Sequence, residues 1–300
     1  MVRKYSFLFI VIASILWSFD GVLRRSLYTL PPTVVVFYEH LLGFLILLPF
    51  VVKDLPLLKT LRRQDLLAFI WISIMSGVLG TVLYTSALGQ VNFIQYSVVV
   101  LLQQIEPLIA LIFAWVILKE KITPKFLVWA IPAVIAAYLV SFPTLSVNIS
   151  QQSGQIKAML MAIGAAFAWG SSTAFSRFAL LKYPYKLALA VRFGLTLPFA
   201  LGFVYLTKSA TQLTAFSRPQ WLAILGIVLT TGMVAMLIYY RGLKFTQAKV
   251  SAIVELTWPL SAIFIGFYFF NERLTLTQIF GAAVLLISMY KISFMQKNHG

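Results

Sequence analysis

The chain has 300 residues, of which 61% are hydrophobic and only 11% are charged. A soluble domain carries about 25% charged residues, so this chain lacks the polar side chains that would cover a water-facing surface. Its net charge of +16 would favour nucleic acid as a partner in a polar chain, but in so apolar a chain it indicates membrane topology instead. We therefore expect an all-α integral membrane protein whose partner is the lipid bilayer, with no nucleic acid.

Ten apolar runs follow one another along the chain. A membrane-spanning helix needs roughly 20 apolar residues. The spans must be helical because lipid offers no partner for free backbone N–H and C=O groups. In chain order the predicted spans are Tyr5–Leu23, Val34–Val52, Leu66–Leu88, Ile94–Leu118, Phe126–Phe142, Ala158–Phe175, Leu187–Leu206, Trp221–Tyr240, Val250–Phe270 and Leu276–Met295.

The lysines and arginines predict the orientation of these spans. If the N-terminus is cytoplasmic, the segments on the cytoplasmic side hold 17 Lys and Arg residues and the outer segments hold 6. Positive charge is retained on the cytoplasmic side of membrane proteins. The distribution predicts a multi-pass protein of the bacterial inner (cytoplasmic) membrane with both termini in the cytoplasm, which also requires an even number of spans.

The two halves of the chain resemble each other. A shift of 152 residues places Trp17 on Trp169, His40 on Arg192 and Pro107 on Pro259, and a shift of 155 places Tyr84 on Tyr239. We expect two repeats of five helices, residues 1–150 and 151–300. An odd number of spans inserts the second repeat upside down relative to the first. Inverted repeats are common in secondary transporters, which bind substrate near the midplane between the repeats.

Several short motifs carry a resemblance to a known family. The segment Ala168-Trp169-Gly170-Ser171-Ser172, its weaker counterpart Leu16-Trp17-Ser18, and Glu106-Pro107-Leu108 resemble the EamA family of the drug/metabolite transporter superfamily. The boundaries Glu120–Thr123 and Glu272–Thr275 are also similar. The resemblance implies ten helices, metabolite transport, often export, and a central cavity lined mainly by helices 3, 4, 8 and 9 with contributions from 1, 2, 6 and 7. Trp258-Pro259 stands where the family usually has Glu-Pro.

Polar residues in the fourth and ninth spans share one face of each helix. Gln103 and Glu106 are three residues apart, as are Glu255 and Trp258. Pro107 and Pro259 are expected to kink these helices and to free the carbonyls of Gln103 and Glu255. We expect both kinked helices to line the cavity; the alternative is that Gln103 and Glu106 only bond neighbouring helices.

Ionisable residues inside a membrane mark functional sites by default. Arg192 and Glu255 lie at comparable depth, so we expect them to pair. Asp20, Glu39 and His40 are expected to form a second cluster with Arg24. The alternative for both groups is a satisfied structural network.

Glu106 has no obvious partner at its depth. Burial disfavours the charged form of a carboxyl, so Glu106 is a candidate for proton coupling or for pairing with a substrate ammonium group.

These considerations give two sets of candidate residues. Aromatic side chains at repeat-related positions are expected to stack on an apolar or cationic ligand. The predicted substrate-binding residues are Trp17, Tyr84, Gln103, Glu106, Trp169, Ser172, Tyr239, Glu255 and Trp258. The predicted coupling or buried charge network is Asp20, Glu39, His40, Glu106, Arg192 and Glu255.

The sequence gives no support for catalysis. It contains no cysteine, only two histidines, no nucleophile constellation and no phosphate-binding glycine loop, so we expect no metal, no cofactor and no enzyme activity. We predict a secondary transporter that moves a small organic metabolite, an amino acid or an amphipathic amine, by alternating access, with export favoured by the family resemblance. Protons are a candidate coupling ion. The alternatives are a passive uniporter, a nucleotide-sugar-type carrier, and an intramembrane enzyme that uses Asp20, Glu39 and His40.

Overall fold

A computed structural model describes residues 5–89, 99, 102–103, 105–141, 153–261 and 275–295, and its regular secondary structure there is entirely helical. The first half contains α1 (Ser6–Ser18), α2 (Asp20–Arg25), α3 (Pro32–Val51), a 3-10 helix (Val52–Thr60), α4 (Arg63–Trp71), a π-helix (Ile72–Gly80), α5 (Thr81–Gly89), α6 (Glu106–Leu118) and α7 (Pro124–Ser141). The second half contains α8 (Ser153–Leu180), α9 (Tyr185–Leu206), a 3-10 helix (Ala210–Thr214), α10 (Arg218–Leu229), α11 (Met233–Leu243), α12 (Ala248–Val254) and α13 (Leu276–Met295).

Within the described residues, six helical stretches are long and apolar enough to cross a membrane. They are Ser6–Arg25, Pro32–Thr60, Arg63–Gly89, Ile156–Leu180, Tyr185–Leu206 and Arg218–Leu243. These stretches correspond to predicted spans one to three and six to eight. Shorter apolar helices occupy the fifth and tenth predicted spans and the second part of the fourth. The protein is therefore an all-helical, multi-pass membrane protein.

Some predicted features lie outside the described residues. These are the start of the fourth span, the end of the ninth, the repeat boundary at residues 150 and 151, the boundary acid Glu272 and both chain termini.

Helix packing joins the two halves of the chain. The fifth predicted span packs on the tenth through α7 and α13, and the second packs on the seventh through α3 and α9. The first span packs on the eighth through α1 and α11, and the sixth packs on the third through α8, the π-helix and α5. The second and seventh spans, and the fifth and tenth, are counterparts in the repeat alignment and pack on each other. The contact between the first and eighth spans corresponds to the contact between the sixth and third, so the halves share one interior.

The third and eighth spans both depart from a regular α-helix at related positions. The π-helix contains Ser76 and Gly77, and the shift of 155 places these residues on Thr231 and Gly232, where the eighth span is interrupted between α10 and α11. A Cβ atom on Gly232 would lie 2.9 Å from a carboxylate oxygen of Glu39. The predicted eighth span is therefore present as one stretch, Arg218–Leu243, with an interruption at which a side chain of the other half comes close.

Side chains cap several helix ends outside the predicted spans. Thr123 accepts a hydrogen bond from the backbone N–H of Phe126 at 3.3 Å, and Thr275 and Gln278 form a capping box. The boundary acid Glu120 caps a helix of the other half: its carboxylate accepts the backbone N–H groups of Ala248 and Lys249 at 2.9 and 3.0 Å. Glu120 therefore ties the loop after α6 to the start of α12.

Candidate substrate cavity

One cavity lies at the centre of the helices, with a volume of about 160 Å³. Predicted spans one to four and six to nine all contribute to its wall, as the family resemblance implies. The lining residues are Trp17, Asp20, Arg24, Glu39, His40, Ser76, Thr81, Tyr84, Glu106, Trp169, Ser172, Thr173, Ser176, Arg192, Phe193, Thr231, Gly232, Met236, Tyr239, Glu255 and Trp258.

Every candidate residue from the sequence lies on this wall except Gln103. The Gln103 side chain is buried and donates through Nε2 to the backbone carbonyl of Ala162 in α8 at 2.7 Å. It borders a smaller neighbouring pocket with Glu106 and Glu255. Gln103 therefore has the helix-bonding role that was the alternative to cavity lining.

Two tryptophan–tyrosine pairs form aromatic walls. Trp17 and Tyr239 have ring centroids 5.1 Å apart, and the repeat-related pair Trp169 and Tyr84 has the same separation. Each pair combines one ring from each half of the chain. The indole N–H of Trp169 donates to the carbonyl of Ser76 at 3.2 Å, which fixes the orientation of that ring. These rings offer a flat apolar surface against which a planar ligand can pack.

An ion-pair cluster occupies another part of the wall. Arg24 contacts Asp20 at 2.5 Å and Glu39 at 2.8 Å, and it also donates to the Thr85 hydroxyl at 3.2 Å. Thr231, from the other half, donates to the second carboxylate oxygen of Asp20 at 2.5 Å. All three charged side chains are buried. Arg24 and Asp20 each have more than one partner, and these contacts offset part of the cost of removing the charges from water.

His40 lies beside this cluster without joining it. Its Nδ1 is 2.8 Å from the carbonyl of Val36, and its ring packs on Phe193 with centroids 4.9 Å apart. The structure therefore brings Asp20, Arg24 and Glu39 together, while His40 bonds within its own helix.

The expected ion pair between Arg192 and Glu255 is not formed. Arg192 donates to the Ser76 hydroxyl at 2.7 Å and to the Tyr240 hydroxyl at 3.4 Å. Glu255 instead accepts from the hydroxyls of Tyr239 and Ser251, both at 2.8 Å. Similar depth brought both residues to one cavity, but the direction in which each side chain leaves its helix gave them different partners.

Glu106 and Glu255 face a shared pocket between the two proline-containing segments. No hydrogen bond to the Glu106 carboxylate comes from the residues that the structure describes. The chain turns after Val254, and the carbonyl of Glu255 accepts from the N–H of Trp258 at 2.9 Å. The expectation of a free carbonyl at Glu255 is therefore wrong, because the turn supplies a donor three residues later.

Sequence reasoning missed the hydroxyl groups of the wall. Ser76, Thr81, Thr173, Ser176 and Thr231 all line the cavity. Serine and threonine are common in membrane helices, so they do not stand out as charges do. The shift of 155 that relates Tyr84 to Tyr239 also relates Ser76 to Thr231, and these two hydroxyls each bond a charged group of the opposite half. The repeat was the signal that could have identified them.

Comparisons with known proteins agree with this architecture. The model of the EamA-like transporter family matches residues 4–142 and 156–294. The chain is 33% identical over 288 residues to the riboflavin transporter ImpX of Fusobacterium nucleatum, covering 95% of this chain and 96% of that protein. It is 21% identical over 278 residues to an uncharacterized transporter of Archaeoglobus fulgidus, covering 92% and 94%.

A solved crystal structure superimposes with a TM-score of 0.74 over 99% of this chain and 98% of that chain. The two are 14% identical in sequence, so this likeness concerns the fold alone. The family match covers both halves of the chain, and the membrane helices enclose a central cavity. The chain belongs to the EamA-like transporter family and is a membrane transporter of that type.

Proposed function

We propose that this transporter carries riboflavin or a closely related flat heteroaromatic compound with a hydroxylated side chain. The observation that carries the proposal is the cavity between the two tryptophan–tyrosine pairs, which combines planar apolar walls with a row of hydroxyl groups. An isoalloxazine ring packs on aromatic side chains, and a ribityl chain hydrogen-bonds to hydroxyls. The relative at 33% identity is a riboflavin transporter.

The proposed mechanism is alternating access by ten spans arranged as two inverted repeats, residues 1–150 and 151–300, with both termini in the cytoplasm of a bacterial inner membrane. The repeat-related aromatic pairs and the packing of related spans support this arrangement. Because the chain lacks cysteine, single cysteines report topology cleanly. Thr60→Cys should react with a membrane-impermeant maleimide only from the cytoplasmic side, and Thr211→Cys only from outside. Labelling of both from one side would refute the inverted arrangement.

Riboflavin binding is tested directly with purified protein. Flavin fluorescence should be quenched on binding, and counterflow of labelled riboflavin should appear in proteoliposomes. Trp169→Ala should weaken binding by at least tenfold, because it removes one aromatic wall. The control Trp115→Ala removes an indole that is 59% exposed and outside the cavity, and it should bind as the wild type does. An absence of quenching and counterflow in the wild type would refute the proposal.

A cationic amine is the second candidate substrate, as the sequence predicted. The Glu106 carboxylate on the cavity wall, which has no hydrogen-bond partner among the described residues, favours it. The same proteoliposomes decide between the candidates: an aromatic amine such as phenethylamine should compete with labelled riboflavin only if it uses this cavity. Loading from either side of oriented vesicles also tests the predicted export direction.

A further inference from the structure

Arg192 is a buried cation whose hydrogen-bonding capacity is only partly used. Its side chain is on the cavity wall, and the residue is 6% exposed. Of its five N–H donors, one bonds Ser76 at 2.7 Å, and the contacts to Tyr240 and Met236 are longer, at 3.4 and 3.8 Å. Its Nε is buried without a partner, and no carboxylate pairs with it among the described residues.

Arg24, which also lines the cavity, has more hydrogen-bond acceptors around it than Arg192 has. It has two carboxylates and a hydroxyl around it. A guanidinium buried in a membrane protein without a comparable set of acceptors is costly, which makes an acceptor supplied by the ligand the natural complement to Arg192.

The surroundings of Arg192 define the ligand group further. Ser76 connects it to the aromatic wall, because the Ser76 hydroxyl accepts from Arg192 and the Ser76 carbonyl accepts from Trp169. His40, at the repeat-related position in the first half, lines the same cavity. A backbone carbonyl only accepts, so the contact with Val36 places a proton on Nδ1 of His40. In the neutral ring, Nε2 is then an acceptor.

We infer that Arg192 and His40 recognise the imide edge of a flat heteroaromatic substrate whose ring packs on Trp169 and Tyr84. Arg192 donates to a ring carbonyl oxygen, and Nε2 of His40 accepts the neighbouring imide N–H. The inference rests on the proposed function, since the pyrimidinedione edge of a flavin has carbonyl groups on both sides of an N–H. The two residues then select flavins over aromatic compounds that lack this edge.

The experiment compares ligands that change single atoms of this edge. Dissociation constants are measured by fluorescence for riboflavin, for its 2-thio and 4-thio analogues, which carry a weaker sulfur acceptor, and for 3-methylriboflavin, which lacks the imide N–H. The wild type should bind at least one thio analogue and the methyl analogue about tenfold or more weakly than riboflavin. Arg192→Met should lose the discrimination against the thio analogues. His40→Phe should lose the discrimination against the methyl analogue.

A matched control and the analogue series distinguish a failure of this inference from a failure of the proposed riboflavin transport. Arg241→Met removes an exposed arginine outside the cavity and should retain all wild-type ratios. If the wild type binds riboflavin and all analogues equally, or if the variants retain the wild-type ratios, the inference is overturned while riboflavin transport stands. If the wild type binds no riboflavin, the proposed function fails and the inference fails with it. If either variant does not fold, the dissociation constants of the wild type still test the inference, because equal constants for riboflavin and all its analogues would overturn it.

Discussion

Trp17 packs against Tyr239 across the boundary between the two halves of the chain, with ring centroids 5.1 Å apart and planes inclined by 55°. The repeat-related Trp169 and Tyr84 make nearly the same contact, inclined by 59°. Both aromatic walls of the cavity are therefore built from one ring of each half. Relative movement of the halves must separate or slide these rings, so the shape of the binding site depends on how the halves are docked.

Movement of the halves can be tested with two disulfide locks at opposite ends of the molecule. The side-chain oxygens of Ser6 and Thr246 are 2.8 Å apart, and those of Thr33 and Thr207 are 3.1 Å apart. We expect Ser6→Cys/Thr246→Cys and Thr33→Cys/Thr207→Cys to cross-link on oxidation and each to stop counterflow. Reduction should restore it, and the single cysteine variants should transport under oxidising conditions. Full transport by both cross-linked proteins would be incompatible with alternating access.

The Glu106 carboxylate should either couple transport to protons or pair with a positively charged substrate. We expect Glu106→Gln to lower transport at least tenfold or to abolish its dependence on the proton gradient, because the amide neither releases a proton nor pairs with a cation. The measurement is flux in proteoliposomes with an imposed pH gradient. Asp54→Asn, in the 3-10 helix after α3 and outside the cavity, is the control. An unchanged rate and pH dependence in Glu106→Gln would exclude both roles.

The buried ion-pair cluster should contribute more to stability than the partly exposed pair between Lys182 and Asp65. Arg24→Ala leaves two buried carboxylates without their cation, which should cost about 3–5 kcal/mol. The Lys182 side chain is 37% exposed, and buried Asp65 keeps hydrogen bonds from the Tyr183 hydroxyl and the Arg62 backbone, so Lys182→Ala should cost less than Arg24→Ala. Melting temperatures in detergent, followed by tryptophan fluorescence, compare the two. Equal shifts would show that the cluster is not the stronger interaction.

The interruption of the eighth span should require glycine at position 232. An added Cβ would meet both the Glu39 carboxylate at 2.9 Å and the carbonyl of Ile227 at 3.0 Å. We expect Gly232→Ala to cost about 1–3 kcal/mol through this overpacking and to reduce transport. Gly226 has nothing within 4 Å of an added Cβ, so Gly226→Ala should stabilise α10 by about 0.5–1 kcal/mol. Similar melting temperatures for the two variants would contradict the close approach of Glu39.

The tie between Glu120 and α12 should make stability depend on pH. Burial raises the pKa of the Glu120 carboxyl, and hydrogen bonds from Lys249 and Ala248 offset part of that effect. A raised pKa means that the folded protein holds this proton more tightly than the unfolded chain. The contribution of Glu120 is thus fully present below the ordinary glutamate pKa of about 4.3 and is lost as the pH rises through the raised value.

Glu120→Gln, which keeps an acceptor oxygen but does not titrate, isolates this contribution. The melting temperature of the wild type relative to this variant should fall as the pH rises from about 4.3 through the raised pKa of Glu120. A difference that stays constant, or that moves in the other direction, would contradict a raised pKa at this position.

Local sequence patterns determined the membrane helices and the relation between the halves. The bilayer demands long apolar helices, so runs such as Tyr5–Leu23 and Leu187–Leu206 were predicted close to the observed helical bounds. The repeat related Trp17 to Trp169 and Tyr84 to Tyr239 before any coordinates, because related spans occupy related places. The repeat did not indicate that each tryptophan would pack against the tyrosine of the opposite half.

Only the tertiary structure decided the partners of the charged side chains and the places where helices open. Hydropathy gives the depth of Arg192 and Glu255, but their rotation about the helix axes brings Ser76 to one and Tyr239 to the other. The interrupted helix at Gly232 lies close to the Glu39 carboxylate, which is almost two hundred residues away in the sequence. Such contacts depend on how packed helices face one another, which is a property of the assembled bundle and not of any one segment.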